Sequence, residues 1–345
     1  MKAVVYQKPG RSNAAIREVP CPECGDHDVL IRVYASGICK PADGSHDKNG
    51  SVIGKYPVIP GHEFAGVVET VGKHVTRFKP GDRVVGDNCV PCGTCYYCQR
   101  GEYAFCSHYL SRGQSLNGAA AEFVVIPEAD VYHIPDGVSM NAAALTELVG
   151  CCYTCIERCE IEYGASVLVL GCGASGMILS QLALNSNAGQ VVAIDTVESK
   201  LQRIATKGVE TVLVDPSDFS KHTRVLLERY PLGFDVIIDA VGNAKLNEIS
   251  IPLLKSGGTF AGYSFPSTEQ RTVGLDMGMF IIKSLRYIGS TFQTKKFSRC
   301  LEFMRQGKVD GDLLITDEYS MDEYFMALDK NMNDPDSVKA VIHPN

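Results

Sequence analysis

The sequence predicts an α/β protein in two parts, a mostly-β N-terminal domain followed by a doubly wound parallel-sheet domain. Three observations predict it. Up to about Pro135, short apolar stretches are broken by Gly, Pro and Asp, the texture of short strands joined by turns. From Met140 onward, apolar segments are uninterrupted and alternate with helical stretches, as in a parallel sheet covered on both faces. The length of 345 residues is enough for two apolar cores.

In chain order, residues 1–6 read as an opening strand, and residues 29–33, 66–71 and 121–126 as further strands of the β part. A helical stretch from Met140 leads to a strand at 167–170, then a helix, then a strand at 191–194. Helix and strand continue in turn through 212–214 and 236–238. After Tyr287-Ile288-Gly289, a helix from Phe297 to Gln306 and a closing strand at 339–342 suggest a return to the first domain. The expected boundaries are 1–148 for the β domain, 149–288 for the parallel-sheet domain and 289–345 for the return. There is no internal repeat, low-complexity tract or charge block.

The formal charge of −7 argues against nucleic acid as a partner. No segment approaches the roughly twenty consecutive apolar residues of a membrane span, and the first residues read as a strand rather than a cleavable signal. A cytosolic location is therefore expected, with no membrane partner. Thiols stay reduced there, so the 14 cysteines read as metal ligands and small buried hydrophobes rather than disulfides.

Four of them, Cys92, Cys95, Cys98 and Cys106, lie in a compact lobe at about 86–112. Two residues between successive cysteines let a tight loop turn neighbouring sulfurs toward one centre, and zinc accepts four thiolates tetrahedrally with no open position. A bacterial iron–sulfur run also begins C-x2-C-x2-C, but its fourth cysteine follows three residues later and precedes proline. Cys106 follows seven intervening residues and precedes Ser107. The spacing favours a structural zinc; iron–sulfur and unmetallated thiols are the alternatives.

The first strand-to-helix turn of the parallel-sheet part is Gly171-Cys172-Gly173-Ala174-Ser175-Gly176, a G-x-G-x-x-G where a dinucleotide fingerprint belongs. Gly171 permits the turn, Gly173 lets backbone approach a pyrophosphate, and Gly176 allows close helix–strand packing. The helix N-terminus offers its N–H groups to phosphate. Asp195 closes the next strand nineteen residues after Gly176, at the distance of a carboxylate that binds the adenosine ribose. A carboxylate repels a 2′-phosphate, so NAD is expected rather than NADP. Lys200, one helical turn on, would flank the same ribose, and Val241 completes the expected cofactor contacts. The bland alternative makes the glycines a turn and Asp195 a helix cap.

A second set of metal-binding residue types is dispersed: Cys39, the pair His62 and Glu63, and Glu147. No spacing rule alone assembles them. Taken singly, Cys39 also reads as a small buried hydrophobe, His62 as a satisfied core histidine, and the two glutamates as solvated charges.

The cysteine lobe, Gly61-His62-Glu63-x-x-Gly66-x5-Gly72, the glycine fingerprint and Asp235-x3-Asp239-x2-Gly242 stand in one order and register. Together they resemble the zinc-containing medium-chain dehydrogenase/reductases, the alcohol and polyol dehydrogenases, over essentially the whole chain. The resemblance implies a GroES-like catalytic domain and a Rossmann cofactor domain, NAD, and two zinc ions per chain, one catalytic and one structural. It implies that Cys39, His62 and Glu147 hold the catalytic zinc, with Glu63 as a close alternative. Glutamate at the third position resembles the sorbitol and related polyol branch. The implied reaction is hydride transfer to NAD from a secondary hydroxyl of a polyol or sugar-like substrate, which a zinc with an open position activates. A small alcohol or a hydroxy amino acid such as threonine is the alternative substrate. A non-catalytic, zinc-stapled NAD-binding protein is the alternative from another class. A homodimer or homotetramer, joined through edge strands near 259–262 and 287–289, is also implied.

Three departures from the family pattern bear on the site. The family commonly has a serine or threonine relay two residues beyond the metal cysteine, then an aspartate that orients the metal histidine. Here the segment is Cys39-Lys40-Pro41-Ala42-Asp43-Gly44-Ser45-His46. With a loop one residue longer, Asp43 takes the orienting role and the relay position becomes Ala42, so Ser45, His46 or water must replace it. His46 is expected either to complete the relay or to be an exposed loop histidine. Leu148 stands where proline often follows the glutamate. In Gly289-Ser290-Thr291-Phe292-Gln293, no arginine is present to contact a polyol, leaving Lys40, Tyr56 and Tyr109 as candidate pocket residues.

Overall fold

The computed structural model describes residues 1–266, 271–290 and 292–345, with Phe219 described by its backbone alone. Thr291 lies outside the described residues. Two compact units form: Met1–Gly150 with Gln293–Asn345, and Cys151–Phe292.

The first unit is built on a seven-stranded sheet. Its order runs Ile315–Ser320, Lys339–His343, Asp28–Gly37, Glu63–Val71, Arg83–Gly86 and Val131–His133, with Phe123–Pro127 also pairing Asp28–Gly37. The long strand Asp28–Gly37 is the organiser, because three neighbours pair with it. Its inward residues Val29, Ile31 and Val33 pack with Phe64, Val68, Val84, Val124 and Ile126 in one core. A second core gathers Val4, Tyr6 and Ile342 with Tyr324 and Leu328 of the helix Tyr324–Asn333. Lys339–His343 therefore enters from the far end of the chain and pairs beside strands laid down three hundred residues earlier.

Residues 40–46 form a helix, Lys40–His46, where the sequence suggested a loop. Pro41 sits in the first turn, where no intrahelical N–H is required. Cys39 is its extended N-cap, and the Asp43 carboxylate accepts the Cys39 N–H at 2.8 Å.

The second unit holds six parallel strands in the order Glu210–Leu213, Ala188–Asp195, Ala165–Leu170, Phe234–Asp239, Leu254–Gly262 and Arg286–Gly289. Counted within the unit, this is the doubly wound order 3-2-1-4-5-6, whose direction switches between Ala165–Leu170 and Phe234–Asp239. Residues 167–170 are all fully buried, which is why they are apolar without alternation. Leu254–Gly262 pairs on both sides, so residues 259–262 are interior and, among the described residues, Arg286–Gly289 is the open edge on that side. This corrects the expectation that both segments lie at an edge.

The helix Phe297–Arg305 buries Phe297, Cys300, Leu301 and Met304, the spacing of one helical face. Among the described residues, no helix is long and apolar enough to cross a membrane.

Candidate active site and metal centres

In the lobe, the sulfurs of Cys92, Cys95, Cys98 and Cys106 lie within 4.8 Å of one another, and all are free thiols. Backbone donors point at them: the Cys92 N–H reaches Cys106 Sγ at 3.2 Å, and the His108 N–H reaches the same sulfur at 3.4 Å. The N–H groups of Cys98 and Ser107 pull the Cys95 thiol down to about 5. N–H groups of Thr94 and Cys95 likewise lower Cys92. Burial pushes Cys98 the other way, up to about 12. Four converging sulfurs, free of disulfides, fit a tetrahedral cation.

The dispersed set also converges. Ligand atoms of Cys39, His62 and Glu63 lie within 4.8 Å of one another. Glu147, in the first turn of the helix Thr146–Cys159, places Oε2 4.0 Å from His62 Nε2. Strand geometry explains the placing of His62 and Glu63. Gly61 takes a positive φ of 89°, and a methyl there would stand 2.6 Å from the Ala120 nitrogen, so only glycine lets the chain enter the strand at this point.

The site's electrostatics call for a cation. Burial pushes the Cys39 thiol up. Burial opposes protonation of His62, yet Cys39, Glu147 and Asp43 outweigh it and hold the imidazole well above its ordinary value. His62 Nδ1 and Asp43 Oδ1 are both buried without a hydrogen-bond partner. A sulfur, an imidazole and carboxylates around one point fit a zinc ion.

Not every anticipated residue faces that point. Ser45 donates its hydroxyl to the Ala42 carbonyl at 2.6 Å, closing its own helical turn. His46 is fully buried, not an exposed loop residue. Its Nε2 lies 2.9 Å from the Gly113 carbonyl, an acceptor only, so Nε2 carries the proton and Nδ1 accepts from the Tyr56 hydroxyl at 2.8 Å. Both nitrogens being engaged, the imidazole is a fixed strut rather than a shuttle, which corrects the relay expectation. Tyr109 donates to Cys89 Sγ at 3.0 Å. Gln293 is fully buried, its amide nitrogen 2.8 Å from Asp87 Oδ1, and so braces the framework.

Lys339 was missed. Its ammonium lies 2.6 Å and 2.8 Å from the two oxygens of Glu63. No motif surrounds it and it lies 276 residues from Glu63 in the chain, so only strand pairing reveals it.

In the second unit, Gly171 has a φ of 92°, and a methyl on Gly176 would stand 1.8 Å from the Gly171 carbonyl oxygen. A methyl on Gly173 would meet nothing within 4 Å. Packing therefore requires glycine at 176, whereas at 173 the bare backbone leaves open room in front of the helix Ala174–Leu184, a cradle that fits a pyrophosphate. Asp195 accepts the N–H groups of Cys172 at 2.6 Å and Val197 at 2.9 Å, tying the strand end to the glycine turn. Lys200 and Asp195 act in opposite directions on the buried Cys172 thiol. The Val241 side chain overhangs Gly171, where a methyl would come within 2.5 Å of it. Asp239, the last residue of its strand, accepts the N–H groups of Val241 and Gly242, which gives the Asp-x2-Gly spacing a structural cause.

Residues 25–136 match the alcohol dehydrogenase GroES-like domain, and residues 174–306 match the zinc-binding dehydrogenase domain. D-arabinitol dehydrogenase 1 of Uromyces fabae is 32% identical, over 100% of this chain and 97% of its own length. The chain belongs to the zinc-binding medium-chain dehydrogenases. Sorbitol dehydrogenase of Halalkalibacterium halodurans is 30% identical over 94% of each protein, which puts this dehydrogenase in the sorbitol-dehydrogenase-like branch. A Sinorhizobium meliloti 1021 protein classed as a zinc-binding dehydrogenase, solved with NADP bound, superposes with a TM-score of 0.89 at 29% identity over 99% of each chain. The dehydrogenase thus combines a GroES-like unit with a Rossmann unit, the fold class expected from sequence.

Burial lowers the His46 pKa below its ordinary 6.5, so the folded protein keeps this ring neutral. The unfolded chain binds the extra proton more readily, so this contribution to stability is full above about pH 6.5 and is lost as pH falls through the depressed folded value. His46→Gln, which cannot take up that proton, should be less stable than the parent near neutrality. The gap should narrow on going from about pH 7.5 to pH 5.5 in urea unfolding. A constant gap refutes the assignment.

Proposed function

We propose that this dehydrogenase oxidises a secondary hydroxyl of a polyol or sugar-like substrate with NAD, using a catalytic zinc on Cys39, His62 and Glu147 and a structural zinc on the four lobe cysteines. The observation that carries the reading is a half-buried Cys39 beside a buried His62, flanked by carboxylates rather than by a second thiolate. The arabinitol and sorbitol dehydrogenases among its relatives agree with a polyol substrate.

Zinc held there supplies Lewis acidity toward a substrate hydroxyl, and a nicotinamide dinucleotide supplies the hydride acceptor. The protein's own groups do the positioning. Cys39 is held by its N–H to Asp43, and the same aspartate sets a negative potential behind His62. Glu147 is carried by the helix Thr146–Cys159, a rigid mount for a ligand that binds through oxygen. His46 and Ser45 are spent on the surrounding framework, and Ala42 has no proton to give, so the substrate proton leaves through water.

For the cofactor, Gly171, Gly173, Ala174, Ser175 and Gly176 would hold the pyrophosphate, with Val241 against the turn. Asp195 and Lys200 would flank the adenosine ribose. The Asp195 charge disfavours a 2′-phosphate, which supports NAD over the NADP of the Sinorhizobium structure. We place the enzyme in the cytosol as a homo-oligomer. The open edge Arg286–Gly289 and the exposed Ile281 and Ile282 beside it support pairing with a second copy of the chain.

Metal analysis should find two zinc ions per chain, falling to one in Cys39→Ser with the fold retained. With NAD, a panel of pentitols, hexitols, 2,3-butanediol, primary alcohols and threonine should show highest kcat/KM on a polyol. Best turnover of threonine or a simple alcohol removes the polyol reading, and a single zinc per chain with no turnover supports a scaffold. Asp195→Asn removes the charge but leaves an oxygen for the Cys172 N–H. Its NAD-over-NADP preference in kcat/KM should fall by roughly tenfold to a hundredfold, the worth of hydrogen bonds to a charged group. Finally, Ile281→Glu with Ile282→Glu should lower the mass seen by light scattering, whereas an unchanged mass places the interface elsewhere.

A further inference from the structure

We propose that Tyr263 is a positioning residue for the dinucleotide: its hydroxyl closes a hydrogen-bonded ring with Cys152 and Ser175 that holds the first turn of the helix Ala174–Leu184 in place to receive the pyrophosphate. This rests on the dinucleotide reading of the glycine turn given above. Ser175 is the second residue of that helix, where backbone N–H groups have no intrahelical acceptor and would face the phosphates. Those N–H groups grip a phosphate only as well as the turn that carries them is fixed. Glycine at 171, 173 and 176 gives the turn its shape, yet glycine has no side chain with which to hold it there.

The Cys152 thiol supplies one tie. It lies on the helix Thr146–Cys159, fully buried, with Sγ 3.6 Å from the Ser175 carbonyl oxygen and 3.5 Å from the Tyr263 hydroxyl. A carbonyl only accepts, so the thiol proton goes to Ser175 and the Tyr263 hydroxyl donates to the sulfur. The Ser175 hydroxyl then donates to the Tyr263 oxygen, which completes the ring. Each of the three protons is used once, and such a closed cycle strengthens its members cooperatively. Burial pushes the Tyr263 hydroxyl well above its ordinary value, which keeps its proton in place. The backbone there is tied as well: the N–H groups of Tyr263 and Ser264 both donate to the Asp239 carbonyl, at 3.2 Å and 3.0 Å. The Asp239 carboxylate holds Val241 and Gly242, so the ring and the loop over Gly171 share one anchor. Phenylalanine would fill the same space, and only the hydroxyl makes the tie.

The test is binding of ADP and of NADH to the full-length protein, followed by calorimetry. ADP carries the pyrophosphate without the nicotinamide, so it isolates the cradle. In Tyr263→Phe, both dissociation constants rise by the same factor, roughly fivefold, the worth of one neutral hydrogen bond. Cys152→Ala gives a similar loss, and Cys152→Ser, which keeps a donor and an acceptor, recovers most of it. Because the ring acts as a unit, Tyr263→Phe combined with Cys152→Ala costs no more than either alone. Unchanged ADP affinity in Tyr263→Phe overturns the proposal, and a loss confined to NADH does so by assigning the tyrosine to the nicotinamide end. Additive losses in the double variant overturn it too. If Tyr263→Phe does not fold, the Cys152 variants decide: a loss of ADP affinity in Cys152→Ala that Cys152→Ser recovers supports the ring. Parent affinity in Cys152→Ala, or a loss that Cys152→Ser leaves uncorrected, overturns it. A parent that binds neither ADP nor NADH removes the dinucleotide reading, and this proposal with it.

Discussion

The candidate active site is organised by one constraint: a half-buried thiol, Cys39, and three buried carboxyl groups, Asp43, Glu63 and Glu147, lie around a single buried imidazole. Leaving a buried charge without its partner costs about 3–5 kcal/mol, so such a cluster persists only with positive charge in its midst. Lys339 offsets one carboxylate. The remaining sulfur, imidazole and carboxylate are what a divalent cation requires, and the same acidic groups raise His62 above its ordinary pKa. The same electrostatic demand is what makes the cluster fit a metal ion.

The β framework meets this demand by bringing distant segments to one place. Cys39 follows the long strand Asp28–Gly37, His62 and Glu63 start the strand paired with it, and Lys339 starts the strand on its other side. Gly37 and Gly61 are the two points where a side chain would collide with the assembly. Several polar residues near the site are braces. Ser45 closes a helical turn, His46 joins Tyr56 to the Gly113 carbonyl, and Gln293 ties Asp87. In the Rossmann unit, Asp239 caps the turn at Val241 and Gly242 while Asp235 accepts from Ser166 and Lys255. The two aspartates of the Asp-x3-Asp motif therefore secure the loop that overhangs the glycine turn, and Asp195 secures the turn itself.

Local patterns were legible in the sequence for a physical reason. The four lobe cysteines lie within fifteen residues, so chain geometry alone brings their sulfurs together. The glycine turn, the Asp195 carboxylate that closes the next strand and the uninterrupted apolar strands are likewise set by short-range sterics and by burial on both faces. The charge and the absence of long apolar runs bounded the class of protein, and motif order made the family recognisable.

Tertiary structure decided the rest, because it depends on which strands lie side by side. Cys39, His62 and Glu63 converge only through sheet pairing, and Glu147 reaches His62 from a helix. Lys339 meets Glu63 only because the last strand of the chain returns to the organising strand of the first unit. Residues 40–46 became a helix because Pro41 suits its first turn and Asp43 caps Cys39, which turned Ser45 and His46 inward. Which strand stands at the sheet edge was equally a matter of topology. Sequence by itself determined the kinds of ligand and the local turns that hold them, since these need only neighbouring residues. The identity of each ligand's partner and the assignment of shuttle or strut came from contacts between residues hundreds of positions apart, which no local pattern encodes.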